Sequence, residues 1–107
     1  MDSLDLQFMA LADPTRRALI AQLAHGERTV SELARPHAMS QPAISKHLKL
    51  LEEAGLIVSG RDGQKRPRRL APKGLAPMRE FIEQMGRYWP DRFDALARFL
   101  DEEGNSV

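Results

Sequence analysis

The stretch SQPAISKHLKLLEEAGLI, residues 40–57, holds a helix start, an apolar stripe, a stop and the opening of a strand. Ser40 is the N-cap, because its side-chain oxygen can accept from a first-turn amide. Pro42 is tolerated two residues later, where backbone N–H groups have no intrahelical partner. Ile44, Leu48 and Leu51 repeat at i, i+4 and i+7 and make one buried face. Ala54-Gly55 supplies the C-terminal stop. Leu56-Ile57-Val58 is too short and too branched to be another helix and reads as a strand. Opposite the buried stripe stand Gln41, Pro42, Ser45, Lys46 and Lys49, with His47 between the two faces.

Upstream, Thr29 followed three residues later by Glu32 makes a capping box for a short helix carrying Val30 and Leu33, closed by Pro36. Asp13-Pro14 starts another helix, with Asp as N-cap and Pro at the first helical position. Leu19, Ile20 and Leu23 form its buried face, and His25-Gly26 ends it. Leu4, Phe8 and Leu11 mark a short first helix capped by Asp2 or Ser3.

Downstream, Asp62-Gly63 is a two-residue hairpin signal, and the returning strand is expected over residues 65–70, with Pro67 pointing to an edge. Pro72 is expected to open a last helix. On it Leu75, Met78, Ile82, Met85, Trp89, Phe93, Leu96 and Leu100 recur at steps of three and four, and Pro90 should kink or split it.

The predicted order is helix, helix, short helix, longer helix, hairpin, long helix. A short helix, a turn of about five residues and a second helix make helix–turn–helix anatomy, and a basic hairpin directly after it adds a wing. The fold class is therefore mainly α with a small β-hairpin, a winged helix–turn–helix. The expected organisation is one domain over 1–107, with the helix–turn–helix at 29–55, the wing at 56–71 and dimerisation helices at 1–12 and 72–103. The stretches LADPTRRALI (11–20), TVSELA (29–34), SQPAISKHLKLLEEAGLI (40–57) and RDGQKRPRRL (61–70) resemble the ArsR family of bacterial winged helix–turn–helix repressors. The chain departs from that family's pattern in the returning strand, where Pro67 and Arg68 replace an apolar residue and an aromatic.

Charge is distributed in keeping with a nucleic-acid partner. Residues 28–73 hold ten basic and four acidic residues, net +6, while the flanks hold six basic and eleven acidic, net −5. A cationic field concentrated in one segment is aimed rather than diffuse. A helix such as that from Ser40 lies in the major groove of double-stranded DNA with its N-terminal residues nearest the bases. Gln41 can pair bidentately with adenine, Ser45 can donate or accept, and Lys46 can reach a guanine or a phosphate. Lys49 and Ser40 suit phosphate, the latter through the helix N-terminus. His47 is either a partly buried packing residue or a phosphate donor. On the wing, Arg61, Lys65, Arg66, Arg68 and Arg69 surround the turn. Alternation along a strand lets only two or three of them meet one DNA surface.

The last helix carries more apolar surface than a 107-residue domain can cover. Leu4, Phe8, Leu11, Met78, Ile82, Met85, Trp89, Phe93 and Leu96 are the expected dimer contacts, and Phe81, Tyr88 and Phe99 widen the stripe. ArsR-like repressors dimerise through these terminal helices, and two recognition helices about 34 Å apart would read a palindromic site. One metal site in such relatives uses cysteines on the short helix, where this chain has SELARPHAM (31–39). The other uses Asp and His on the last helix, and residues 75–100 contain no His. No metal site and no cofactor are expected. The inducer is left undetermined: an organic molecule, a partner protein or none.

Composition bounds the alternatives. The chain has 42% apolar and 29% charged residues and no Cys, which removes disulfides and thiol chemistry. No apolar run approaches a membrane span and no secretory signal opens the chain, so a cytoplasmic home is expected. The three His are scattered and there is no Gly-rich phosphate loop, so catalysis is not expected. The competing reading is a winged-helix module for protein–protein contact, against which the polar Gln41/Ser45/Lys46 face argues. RNA binding lacks the exposed aromatic pairs that stack bases.

Overall fold

Four polar side chains start four helices. Asp2 Oδ1 accepts from the Asp5 amide at 3.0 Å, Asp13 Oδ2 from Arg16 at 3.0 Å and Ser40 Oγ from Ala43 at 3.2 Å. Thr29 and Glu32 close the full capping box. In the computed structural model, which describes residues 1–89 and 98–101, these caps open α1 (Ser3–Leu11), α2 (Pro14–Leu23), α3 (Val30–Ala34) and α4 (Gln41–Glu53). They are followed by β1 (Ile57–Ser59), β2 (Arg68–Leu70) and α5 (Ala76–Tyr88). Residues 98–101 are also helical.

The core is built on α4, which packs against α1, α2, α3 and β1. Ile44, Leu48 and Leu51 are fully buried beside Leu19 and Leu33, and Ala10, Leu23, Ala34, Ala54, Leu56 and Ile57 complete the cluster. The i, i+4, i+7 stripe is therefore the centre of the molecule, and its burial holds α3 and α4 in helix–turn–helix relation.

β1 and β2 pair antiparallel, with Ile57 opposite Leu70 and Ser59 opposite Arg68. The same register continues past the strands, as Gly60 N–H donates to the Pro67 carbonyl and Asp62 and Lys65 exchange backbone hydrogen bonds. The turn thus closes between Asp62 and Lys65, around Gly63-Gln64 rather than Asp62-Gly63. Gly63 alone of the pair has positive φ, at +65°, as in a type II′ turn with Gly first. β2 is shorter than the expected 65–70, because Pro67 brings no N–H to the ladder. Pro67 is buried, and one residue on, Arg68 is bridged on its other side by the backbone of Arg28.

The last helix starts at Ala76, not at Pro72, with Pro77 in its first turn. Residues 72–75 form a turn, because Gly74 must pass close under the end of α4. A β-carbon there would stand 2.6 Å from the Gly55 carbonyl oxygen. The described part of the helix ends at Tyr88 with Trp89 as C-cap. Pro90, Phe93 and Leu96 lie outside the described residues.

Gln7 was not anticipated. It is 1% exposed and donates through Nε2 to the carbonyls of Ala54, at 3.1 Å, and Gly74, at 2.6 Å. It thereby ties α1 to the end of α4 and the approach to α5. A glutamine between Leu4 and Leu11 reads as solvent-facing until the two carbonyls it serves are known. The other end of α1 is held by Arg16, which donates to Ala10 O and Met9 O, and by Arg17, which donates to Leu11 O.

Candidate nucleic-acid interface

The polar side of α4 stands free of the core. Gln41, Pro42, Lys46 and Lys49 are exposed, and Ser45 is half-buried. Gln41 is partly anchored, since its Nε2 donates to Ser31 Oγ of α3 at 3.3 Å, which leaves its carbonyl oxygen open as an acceptor. Beside this contact, a cleft of about 600 Å³ separates α3 from the wing. Thr29, Ser31, Glu32 and Arg35 line one wall, and Gln64, Lys65, Arg66 and Arg68 the other. Arg35 and Ser31 thus belong to this surface although their place was not foreseen. The Thr29/Glu32 pattern signals only a cap, and which side of α3 faces the wing is set by tertiary packing that no local pattern encodes. Hydrogen bonds from the Thr29 backbone and then its hydroxyl hold the Glu32 carboxyl below its ordinary value of 4.5, with Arg28 and Arg35 adding smaller contributions. Glu32 is thus occupied by its own helix N-terminus.

The five wing cations separate into two groups. Arg61, Lys65, Arg66 and Arg69 are exposed. Arg68 is not: its side chain is 16% exposed and its Nε donates to Glu52 Oε1 at 2.9 Å. The same carboxylate accepts from the Ser59 hydroxyl, and a second Arg68 nitrogen donates to the Arg66 carbonyl. Glu52 in the last turn of α4 therefore clamps both strands of the wing root, and Arg68 serves to position the wing. Strand alternation separates Arg69 from Arg68, which point to opposite faces of β2, while Arg66 precedes that strand.

His47 is likewise turned inward. Its side chain is 18% exposed, with Nδ1 3.2 Å from an Arg16 nitrogen and 4.0 Å from Asp13 Oδ2. Of the two roles expected for it, its neighbours favour packing. The Arg16 amide, followed by the charge of Arg16, holds the Asp13 carboxyl below its ordinary value of 3.8.

The expected dimer contacts divide in the same manner. Met78 is buried and Leu11 packs against the core, so both serve the protomer's own interior, and Leu4 is half-buried. Phe8, Ile82, Met85 and Trp89 instead line an apolar groove of about 370 Å³ with Phe81 and Gly86. Phe8 meets Phe81 edge-on, with ring centroids 5.5 Å apart. Ile82 remains 57% exposed and Trp89 44%. Among the described residues, no group of three or more His, Cys, Asp or Glu side chains could hold a metal ion, and no helix is long and apolar enough to cross a membrane.

A helix–turn–helix with a basic wing and an exposed polar recognition face defines a winged helix–turn–helix regulator domain of the DNA-binding class. The family model described as bacterial regulatory protein, arsR family, matches residues 13–59. The chain is 42% identical over 103 residues to the HTH-type transcriptional regulator Rv2034 of Mycobacterium tuberculosis (strain ATCC 25618 / H37Rv), spanning 96% of this chain and 94% of that one. It is 34% identical over 100 residues to the arsenical resistance operon repressor of Escherichia coli (strain K12), spanning 92% and 86%. Its fold is similar to the solution structure of the homodimeric winged helix–turn–helix DNA-binding domain of Mb0332 from Mycobacterium bovis. That likeness has a TM-score of 0.66 and 25% identity, over 85% of this chain and 84% of that one. The chain belongs to the ArsR family of bacterial regulatory proteins, which are transcriptional regulators and not enzymes.

Proposed function

We propose that the protein is a homodimeric, sequence-specific transcriptional repressor that acts in the cytoplasm and binds a palindromic operator through the major groove. The observation that carries this reading is the exposed polar side of α4 next to the α3–wing cleft, with the Gln41 amide oriented by Ser31. Gln41, Ser45 and Lys46 choose the site by reaching base edges, with Pro42 packing beside them. Ser40, Lys49, Arg61, Lys65, Arg66 and Arg69 hold phosphates and set the register. Arg68 and His47 act inside the protein, through Glu52 and Arg16. The exposed groove around Phe8, Ile82, Met85 and Trp89 is the contact with a second copy across a two-fold axis. The homodimeric Mb0332 domain supports that assembly. Repression follows from a dimer covering its operator, and the name of the Escherichia coli relative supports it.

Selection from a random pool of DNA duplexes tests this reading. The expected product is an inverted repeat whose half-sites are centred about one helical turn, or a multiple of it, apart. On that duplex Gln41→Ala should cost about 1–3 kcal/mol, and on scrambled DNA nothing comparable. A pool that gives no enriched sequence overturns the proposal, and equal losses on both duplexes remove Gln41 from base reading.

A further inference from the structure

Arg16 joins three elements with one side chain. Its Nε donates to the Ala10 carbonyl at 2.6 Å and one terminal nitrogen to Met9 O at 3.2 Å, so it caps the end of α1. The other terminal nitrogen lies 3.2 Å from Nδ1 of His47 on α4. A guanidinium has only donors, so the imidazole must accept. His47 is therefore neutral in this arrangement, with its proton on Nε2.

We propose that Arg16 and His47 form a positioning latch for operator recognition, closed while His47 is neutral and released when it takes a proton. The inference rests on the operator-binding reading above. α1 also carries Phe8 into the groove assigned to the dimer contact. Through Arg16, α4 is consequently fixed relative to the helix that meets the second copy, which sets how two recognition helices are spaced.

The charged groups around His47 define what protonation does. From α2, Arg16 and Asp13 face it, with Asp13 Oδ2 at 4.0 Å. From α1, the described contacts to the cluster are the backbone carbonyls of Met9 and Ala10, which Arg16 occupies. On α4 itself, the neighbouring Lys46 is exposed, and Glu53 lines a small cavity with Arg16, Met9 and Ala10. A proton on Nδ1 turns the acceptor into a donor and sets an imidazolium against the guanidinium. The available partner is then Asp13 Oδ2, the oxygen that already caps α2 through the Arg16 amide. An ordinary free imidazole changes charge between about pH 5 and 8, and the test compares a pH near each end of that range.

An added positive charge strengthens attraction to any DNA, so the signature of release is lost discrimination rather than lost binding. The test is the ratio of affinities for the selected operator and a scrambled duplex, measured with the full chain at pH 7.5 and 5.5. In the wild type the ratio should fall about tenfold at pH 5.5, one hydrogen bond's effect in each subunit of the dimer. His47→Asn retains an acceptor near the Nδ1 position and cannot titrate, so its ratio should be equal at the two pH values and higher than that of His47→Leu. Arg16→Met should give a low ratio at both. Thermal melts of each variant confirm folding at the assay temperature; if Arg16→Met does not fold, the two His47 variants carry the comparison. A wild-type ratio unchanged by pH, or a His47→Asn protein with the wild-type pH dependence, overturns the latch. A wild type without preference at pH 7.5 overturns the operator-binding reading itself, and the latch with it.

Discussion

Arg66 and Arg68 are two residues apart in one basic wing, yet replacing each with methionine should have opposite consequences. Arg68→Met removes the guanidinium from Glu52 while keeping an apolar stem of similar reach. The broken interaction is a charge-assisted hydrogen bond of 2.9 Å between side chains 16% and 32% exposed. A hydrogen bond to a charged group contributes roughly 1.5–3 kcal/mol, and the partial exposure of Glu52 brings the expectation down to about 1–2 kcal/mol. For a domain of this size that lowers Tm by about 5–10 °C. A double-mutant cycle with Glu52→Gln should return a coupling of about 1 kcal/mol, because the two side chains touch directly. Arg66→Met removes an exposed cation and should leave stability within about 0.5 kcal/mol. Its effect is on DNA: with one phosphate fewer neutralised by each subunit, the slope of log affinity against log salt decreases by about 1.8 for a dimer. Between 50 and 200 mM salt, the variant's affinity should thus fall about twelvefold less than the wild type's. Thermal melts and a salt titration of operator binding read both quantities on the same preparations. An Arg68→Met protein with unchanged Tm and a salt slope reduced as much as that of Arg66→Met would refute the assignment of Arg68 to the wing root.

Leu48 is fully buried at the centre of the α4 stripe, so Leu48→Ala should cost about 2–5 kcal/mol in urea unfolding, and a cost below about 1 kcal/mol would displace that stripe from the core. Ile82→Glu places a charge in the exposed apolar groove, and sedimentation should show a monomer with weakened operator binding but a Tm close to wild type; a variant that remains dimeric would move the interface elsewhere. The carboxyls of Asp13 and Glu32 are held below their ordinary values of 3.8 and 4.5 by helix N-terminal amides. Their stabilisation is therefore complete above those values and is lost as pH falls through the lowered ones. The urea midpoint should drop below about pH 4.5, and less steeply in Asp13→Asn and Glu32→Gln; equal acid slopes in all three proteins would count against the caps.

The helix starts and the core stripe were legible because they are local: Asp13, Thr29 and Ser40 each bond within three residues of themselves. The helix-to-strand switch after Gly55 was legible for the same reason. What escaped the sequence depends on partners far along the chain. Gln7 is buried because Ala54 and Gly74, 47 and 67 residues away, present carbonyls that need a donor. Pro72 and Pro77 are equally good openings for α5, and the choice falls to the close passage of Gly74 beneath Gly55. In the site, alternation foretold that the wing arginines would divide between faces. Which of them turned inward depended on Glu52, sixteen residues from Arg68. The turn closed one residue later than the Asp-Gly pair suggested, because Gly63 takes the first central position of the loop rather than the second. Periodicity alone puts Met78 on the interface stripe, whereas it is the buried residue of the described part of α5 and seats that helix on its own protomer.

If the polar face of α4 and the wing together recognise a particular DNA sequence, wild-type binding to a selected duplex and to a scrambled one must differ across a salt series. A preference of about a thousandfold or more is expected at physiological salt, with both affinities falling steeply as salt rises. Equal affinity for the two duplexes at every salt concentration would contradict specific recognition, leaving a basic surface that attracts DNA without reading it.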